Sequence, residues 1–124
     1  MNSENVKSNL IVKLTFDFSS AVMLFCDKLY ETKKFIIANQ LLRAALSIGA
    51  NVREAQNAES IADFVHKMKI ACKEAEEAEF YLQLIEKAYS YDGSLLLLQN
   101  LASIHRVLNK IVSTSKRKVK TEIN

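Results

Sequence analysis

A stripe of polar side chains crosses the apolar segment LLRAALSIGANVREAQ, which spans residues 41–56. Its members recur at spacings of four, four and three residues, which places them on one side of a helix. They are Arg43, Ser47, Asn51 and Glu54. Because a polar group that is buried without a partner costs about 1 to 3 kcal/mol, the pattern predicts carboxylates that face the stripe from a neighbouring helix.

The matching carboxylates lie in the segment KEAEEAE at residues 73–79. Glu74 and Glu79 flank the apolar stripe expected for this segment, whereas Glu76 and Glu77 are expected to project away from it. A carboxylate here could act in acid–base catalysis if it were buried, but such clusters are usually solvated helix faces. We interpret the two sets as an interhelical network that fixes register, which only an adjoining pocket would turn into a binding site.

Other chemistry finds little support in the residue pattern. A carboxylate-bridged metal site in a bundle needs two Glu-x-x-His units. The sequence offers one weak analogue, Asp63 with His66, and His105 has no carboxylate three residues before it. No spacing brings either histidine to Cys26 or Cys72 to activate a nucleophile, and two glycines cannot form a glycine-rich phosphate loop. We predict no catalytic residue, metal, cofactor or enzymatic activity.

Composition favours a single helical domain. The 124 residues include two glycines and no proline, the residues that dominate the turns of β proteins. Cys26 and Cys72 form no CxxC pair, which argues against a disulfide framework and predicts two buried thiols. No window reaches the roughly 20 apolar residues that span a bilayer, and no leader is evident. We therefore expect a cytoplasmic protein without membrane contact.

Apolar residues at three- and four-residue spacing predict helices at about 8–31, 35–57, 60–89 and 94–114. Ser60 and Ser94 are candidate N-caps, and Asp92 with Gly93 forms the clearest turn. Short connections make successive helices antiparallel neighbours. The prediction is an all-α fold, an antiparallel up-and-down four-helix bundle at residues 1–115, with a flexible basic tail at 116–124.

Each helix carries an apolar stripe that we expect to form the core. The first stripe begins at Leu14 and the third at Phe64, and the third has alanines at its centre. Apolar residues also lie outside the stripes, where a single bundle would leave them in water. We predict that the protein self-associates through Phe16, Met23, Leu42 and Leu46.

The net charge of +3 is unevenly distributed. Residues 105–124 carry six cations and one carboxylate, a net +5, which leaves −2 on the rest of the chain. Clustered cations attract phosphates without regard to base sequence. The predicted nucleic-acid contacts are Lys116, Arg117, Lys118 and Lys120. The alternative is a solvated terminus with no ligand.

The runs NQLLRAALSIGANVREAQ at 39–56 and SIADFVHKMKIACKEAEEAEFYLQLIEKA at 60–88 resemble the 23S rRNA-intervening sequence proteins. The family pattern Q-L-x-R-A-A-x-S-I-x-x-N-I-x-E-G is matched from Gln40 to Glu54, with Val52 in place of isoleucine. The sequence departs from this pattern at Ala55, where glycine is common. The second helix is therefore expected to continue past Glu54.

This resemblance implies a four-helix bundle that forms a homo-oligomer, with a pentameric ring as the form associated with the family. A related branch, the accessory subunit of diversity-generating retroelements, acts with a reverse transcriptase and nucleic acid. Our leading hypothesis is a non-enzymatic bacterial ring protein of unknown biological role that binds RNA or DNA. The alternative is a protein-binding scaffold without nucleic acid. An enzyme that uses Glu74 or Glu79 has the least support.

Overall fold

Four helices form the part of the chain that the computed structural model describes, which is the backbone of residues 3–123 and the side chains of residues 9–121. They are α1 (Ser3–Glu31), α2 (Phe35–Ala55), α3 (Ile61–Tyr89) and α4 (Ser94–Ile123). Each helix packs on the next, and α4 packs back on α1. With short connections these neighbours run antiparallel, so the predicted all-α up-and-down bundle is confirmed.

The core is built largely from the predicted apolar stripes. On α4, the stripe residues from Leu97 to Ile111 are at most 5% exposed. On α3, Ala71, Ala75 and Ala78 are fully buried, and their small side chains let neighbouring helices approach closely. Burial of this apolar surface stabilises the fold by about 25 cal/mol for each Å² removed from water.

The first residues of the predicted α1 and α3 stripes lie at the margin of the core. Leu14 and Phe64 are partly buried, whereas Ile11 and Val65 are buried in the same helices. Thr15 is buried as well, and its hydroxyl donates to the Ile11 carbonyl at 2.8 Å. At the start of a stripe, a period of 3.6 residues leaves neighbouring positions almost equally consistent with the pattern. Packing against the adjacent helix then selects between them.

The predicted burial of the thiols is confirmed for Cys26 and wrong for Cys72. Cys26 is fully buried, and this burial, followed by the charge of Asp27, raises the pKa of its thiol to about 11. Cys72 is partly exposed on α3, with Sγ 3.9 Å from Asn109 Oδ1 of α4. It follows Ala71 by one position and so lies at the edge of the α3 stripe.

The N-termini of α3 and α4 are stabilised by different contacts. The Ser60 hydroxyl accepts a hydrogen bond from the Asp63 amide at 3.0 Å, so the predicted N-cap of α3 is confirmed. Ser94 differs from the prediction, because it is the first residue of α4 and its hydroxyl donates to the Glu86 carboxylate instead of capping the helix. Gly93 has a φ of +96°, a conformation that favours glycine and confirms the predicted turn.

Two of the connecting turns meet at one pole of the bundle. The hydroxyls of Thr32, after α1, and Tyr91, after α3, are 3.1 Å apart. The Lys34 ammonium lies 4.7 Å from the ring centroid of Tyr89 at the end of α3. These contacts bring together the α1–α2 and α3–α4 connections, while the α2–α3 connection lies at the opposite pole.

Helix ends differ from the prediction most clearly in α4. α1 begins at Ser3 instead of about residue 8, and α2 ends at Ala55 instead of about 57. α4 continues to Ile123 instead of ending near 114, so residues 116–123 are helical where the sequence predicts a flexible tail. This segment has neither glycine nor proline, and its lysines and arginine have high helix propensity.

The expectation that no segment is apolar enough to span a bilayer is wrong by length and composition. The segments Asn9–Glu31 and Phe35–Ala55 reach a mean hydropathy of 1.4 and 1.3. Only 33% of each apolar window is buried inside the bundle, because one face of each helix points into the core and the other faces outward. Core helices of non-membrane proteins pass the same test, so the absence of membrane contact stays a prediction.

Replacement of Ser60 by alanine removes the side-chain acceptor from the first turn of α3. We expect Ser60→Ala to lower the free energy of unfolding by about 1 kcal/mol, the usual effect of losing a serine N-cap. Urea denaturation measures this change. Ser60→Asp is the matched control, since it keeps an acceptor and should retain the stability of the wild type. Equal losses in both variants would contradict the capping role.

Candidate functional site

Arg43 joins α2 to α3 through two carboxylates that lie one turn apart. Its Nη1 donates to Glu74 Oε2 at 3.1 Å, and its Nη2 donates to Glu77 Oε2 at 2.7 Å. The Arg43 side chain is 50% exposed, the Glu74 side chain 13% and the Glu77 side chain 34%. The rigid fork of the guanidinium suits two acceptors in fixed directions. This cluster therefore sets the register of α2 against α3.

The sequence prediction identifies only one of these two carboxylates. Glu74 meets Arg43 as expected, whereas Glu77 pairs with α2 instead of projecting away. Glu74 and Glu77 are three residues apart and share a helix face. That spacing is the signal in the sequence that marks them as a pair.

The other members of the predicted stripe do not join the Arg43 cluster. The Asn51 amide donates to the carbonyl and hydroxyl of Ser47 at 2.9 and 3.2 Å, so this pairing stays within α2. Glu54 accepts a hydrogen bond from Lys67 Nζ at 3.2 Å. Glu54 lies three turns from Arg43, about 16 Å along the helix, and cannot share its carboxylates. The prediction of one continuous network is therefore wrong.

Glu79, the remaining predicted member, faces α4 instead of α2. Its Oε2 lies 3.6 Å from His105 Nε2, a buried atom without a hydrogen-bond partner among the described residues. The contact becomes a salt bridge only when the imidazole is protonated. His66 is exposed near the start of α3. Among the side chains that the structure describes, no group of three or more His, Cys, Asp or Glu residues could hold a metal ion.

Charge pairing dominates the electrostatics of the Arg43 cluster. The hydrogen bond from Arg43 lowers the pKa of the Glu77 carboxyl, and its positive charge adds to the effect. The same hydrogen bond raises the pKa of the Arg43 guanidinium. Both groups are therefore charged at neutral pH, and the cluster is an ion pair instead of a proton donor or acceptor.

A groove with a volume of about 340 Å³ runs between the outer faces of α1 and α2. Gly49 of α2 lies close to the backbone of α1. A Cβ at this position would be 3.2 Å from Ser19 Oγ and 3.6 Å from the Thr15 carbonyl oxygen. The Ser19 hydroxyl donates across the contact to the Ala45 carbonyl at 3.1 Å. Glycine at position 49 thus permits both the close packing and the hydrogen bond.

Three of the four predicted interface residues line this groove. Phe16, Met23 and Leu46 are 60%, 54% and 45% exposed. Leu42 differs, because it is partly buried and packs against the core. The Arg53 guanidinium lies 5.5 Å from the ring centroid of Phe16. The groove is therefore an apolar surface with one cation at its edge.

Basic residues form one outer face of α4, opposite its core stripe. On a helical wheel they lie within about 80° of one another, and all are exposed. They are Arg106, Lys110, Arg117 and Lys120. We call this set the α4 basic face.

The α4 basic face differs from the predicted basic tail. Lys116 borders the face, but Lys118 is rotated by about 100° from Arg117. Arg106 and Lys110 share one helix face with Arg117 and Lys120, because α4 continues past residue 114. The spacing of the cations in the sequence is consistent with a single helix face. The prediction of a helix that ends near 114 places two of them in the helix and the other two in a tail.

Comparisons with known proteins match most of the chain. A family model described as 23S rRNA-intervening sequence protein matches residues 7–112. The chain is also similar to the crystal structure of a protein with unknown function from the S23 ribosomal protein family of Bacteroides thetaiotaomicron VPI-5482. The two are 32% identical, with 86% of this chain and 98% of that chain covered and a TM-score of 0.82. No curated protein matches the chain.

Removal of the guanidinium tests the role of the Arg43 cluster. The pKa of Glu77 is lower in the folded state, so its pairing stabilises the fold above the ordinary pKa of 4.5 and is lost as pH falls through the lowered value. We expect Arg43→Gln to lower the free energy of unfolding by less than about 1 kcal/mol at neutral pH, because the pair is partly exposed. The difference from the wild type should shrink as the pH falls below 4.5.

Urea denaturation at the two pH values measures this effect. Arg43→Lys is the matched control, because it keeps the charge but cannot present two donors in fixed directions. Its stability at neutral pH should lie between those of Arg43→Gln and the wild type. A destabilisation by Arg43→Gln that does not change with pH would show that packing, and not the ion pair, stabilises this contact.

Proposed function

We propose that this chain, which belongs to the 23S rRNA-intervening sequence protein family, is a non-enzymatic, self-associating bundle that binds nucleic acid. The observation that carries this proposal is the α4 basic face. It concentrates the positive charge of a chain whose remaining residues are slightly acidic. Apolar surface on α1 and α2 supports self-association, and the two surfaces lie on different helices.

Nucleic-acid binding is supported by charge and by exposure. Residues 94–121 include no Asp or Glu, so no carboxylate of α4 within this range neutralises the basic face. Exposed cations on a helix attract phosphates and release their counterions. The matched family model is described by its connection with 23S rRNA, which agrees with a nucleic-acid partner.

Self-association is supported by the groove between α1 and α2. Phe16, Met23 and Leu46 form a contiguous apolar surface that is unfavourable in water. A second copy of the chain would cover it and leave the α4 basic face open. The resemblance to ring-forming relatives favours a pentamer.

A non-enzymatic role is supported by the pairing of the polar residues. Arg43 is paired with two carboxylates on an exposed helix face, and Asn51 is bonded within its own helix. The groove between α1 and α2 contains no carboxylate, histidine or cysteine among its described lining residues. These arrangements stabilise the fold and offer no activated nucleophile or general base.

A lysine in the groove tests the proposed interface. We expect Met23→Lys and Leu46→Lys to shift the protein toward the monomer, because each would bury a charge against apolar surface. Light scattering coupled to size-exclusion chromatography measures the mass at micromolar concentration. Leu84→Lys is the matched control on α3, where the leucine is 43% exposed, and should keep the mass of the wild type. A monomeric wild type would contradict self-association.

Removal of charge from the end of α4 tests nucleic-acid binding. The test variant combines Lys116→Gln, Arg117→Gln and Lys120→Gln. The control combines Lys69→Gln, Lys73→Gln and Lys87→Gln on α3, where all three lysines are exposed. Both lose three charges, but only the α4 variant should lose at least tenfold in affinity, because each lost phosphate contact weakens binding. Fluorescence anisotropy with labelled RNA and DNA measures the affinity.

Equal losses in the two triple variants would assign binding to net charge instead of to α4. Unchanged affinity in the α4 variant would exclude this helix as the contact. A wild type that binds neither RNA nor DNA, and that retains a protein partner after nuclease treatment of an extract, would favour the protein scaffold.

A further inference from the structure

We propose, on the basis of the nucleic-acid binding proposed above, that the ligand of the α4 basic face is a double-stranded nucleic acid held through its phosphates. Two properties of α4 distinguish a duplex from a single strand. The first is the rigid linear arrangement of the cations, and the second is the residue types that accompany them.

The α4 basic face is a straight array of charge. Its residues project from one uninterrupted helix, and the distance from Arg106 to Lys120 along the axis is about 21 Å. The successive steps between the four cations are about 6, 10.5 and 4.5 Å. A duplex is a rigid partner for such an array, because its phosphates stay at fixed positions. The length of the array corresponds to about six base pairs. A single strand would have to be ordered first.

The α4 basic face carries no aromatic side chain on which bases could stack. Proteins that bind single strands combine cations with aromatic side chains that stack on successive bases. No Phe, Tyr or Trp occurs in residues 94–124. The exposed aromatic residues Phe16, Phe35, Phe80 and Tyr89 lie on α1, α2 and α3. The contacts that α4 can make are therefore with phosphates, and a duplex carries one phosphate charge per roughly 1.7 Å against 3.4 Å for one strand.

Two carboxylates on the neighbours of α4 have partners outside this face. On α1, Asp17 lines a groove with Asn100 of α4 and is paired with Lys13 at 2.7 Å. On α3, Glu79 faces His105, which lies on the side of α4 about 100° from Arg106. The outer side of α4 is left open to a ligand of opposite charge.

Four labelled ligands test this inference with the full chain: a 20-base-pair duplex of DNA, the same duplex of RNA, and one strand of each. We expect each duplex to bind at least tenfold more tightly than its own single strand. Four phosphate contacts predict that duplex affinity falls about 100-fold between 50 and 200 mM salt. Comparison of the two duplexes identifies the source of the phosphates, since only B-form DNA has a major groove wide enough for a helix.

Single substitutions locate the contact. Arg106→Gln and Lys110→Gln should each reduce the slope of log affinity against log salt by about 1. Lys69→Gln, an exposed lysine on α3, is the matched control and should leave the slope unchanged. Circular dichroism confirms that each variant keeps its helical content.

The outcomes separate the duplex inference from the proposed function. Tighter binding to the single strands than to the duplexes would overturn the duplex assignment and leave nucleic-acid binding intact. An unchanged salt slope in both α4 variants, with duplex binding retained, would place the duplex elsewhere on the molecule and overturn the assignment to α4. The absence of salt-sensitive binding to all four ligands would overturn both proposals.

Discussion

The position of α2 between α1 and α3 constrains the whole bundle. On one side, Gly49 lets α1 approach until the Ser19 hydroxyl reaches an α2 carbonyl. On another, Arg43 reaches two carboxylates of α3. The first contact requires the absence of a side chain, and the second requires a long side chain with fixed donor directions. Together they fix the register of three helices, while apolar burial supplies most of the stabilisation.

This packing decides which residues remain available on the outside. The inner apolar stripes are buried in the core, and the polar residues of the Arg43 stripe have hydrogen-bond partners within the fold. The outer surfaces that remain include the apolar groove of α1 and α2 and the α4 basic face, which lie on separate helices. A protomer can thus bury the first surface against another copy without covering the second. The polar stripe of α2 is occupied by contacts within the fold, and the surfaces that could serve function lie beside it.

The sequence predicts the fold well because one periodic signal governs all four helices. Leu97 to Ile111 reads as a stripe and is buried as one. It predicts the site less well, because pairing depends on three-dimensional distances that spacing does not supply. Arg43 finds Glu77 as well as Glu74, and Glu79 turns to α4. Leu42 and Leu46 look equivalent in the sequence, yet only Leu46 lines the groove. Similarly, the end of α4 contains no helix breaker, although its high content of cations leads to the prediction of a flexible tail.

The meeting of two turns at one pole makes opening of the bundle directional. There, Thr32 contacts Tyr91 and Lys34 lies over Tyr89, so four helix ends are joined by side chains as well as by the backbone. The other pole holds one connection, the start of α1 and the end of α4, where residues 116–120 carry four cations that repel one another. Local unfolding should begin at that pole, and its amides should exchange hydrogen fastest. A polyanion that neutralises the cations would slow this exchange. Binding of a ligand to the α4 basic face would therefore stabilise the pole at which the bundle opens first.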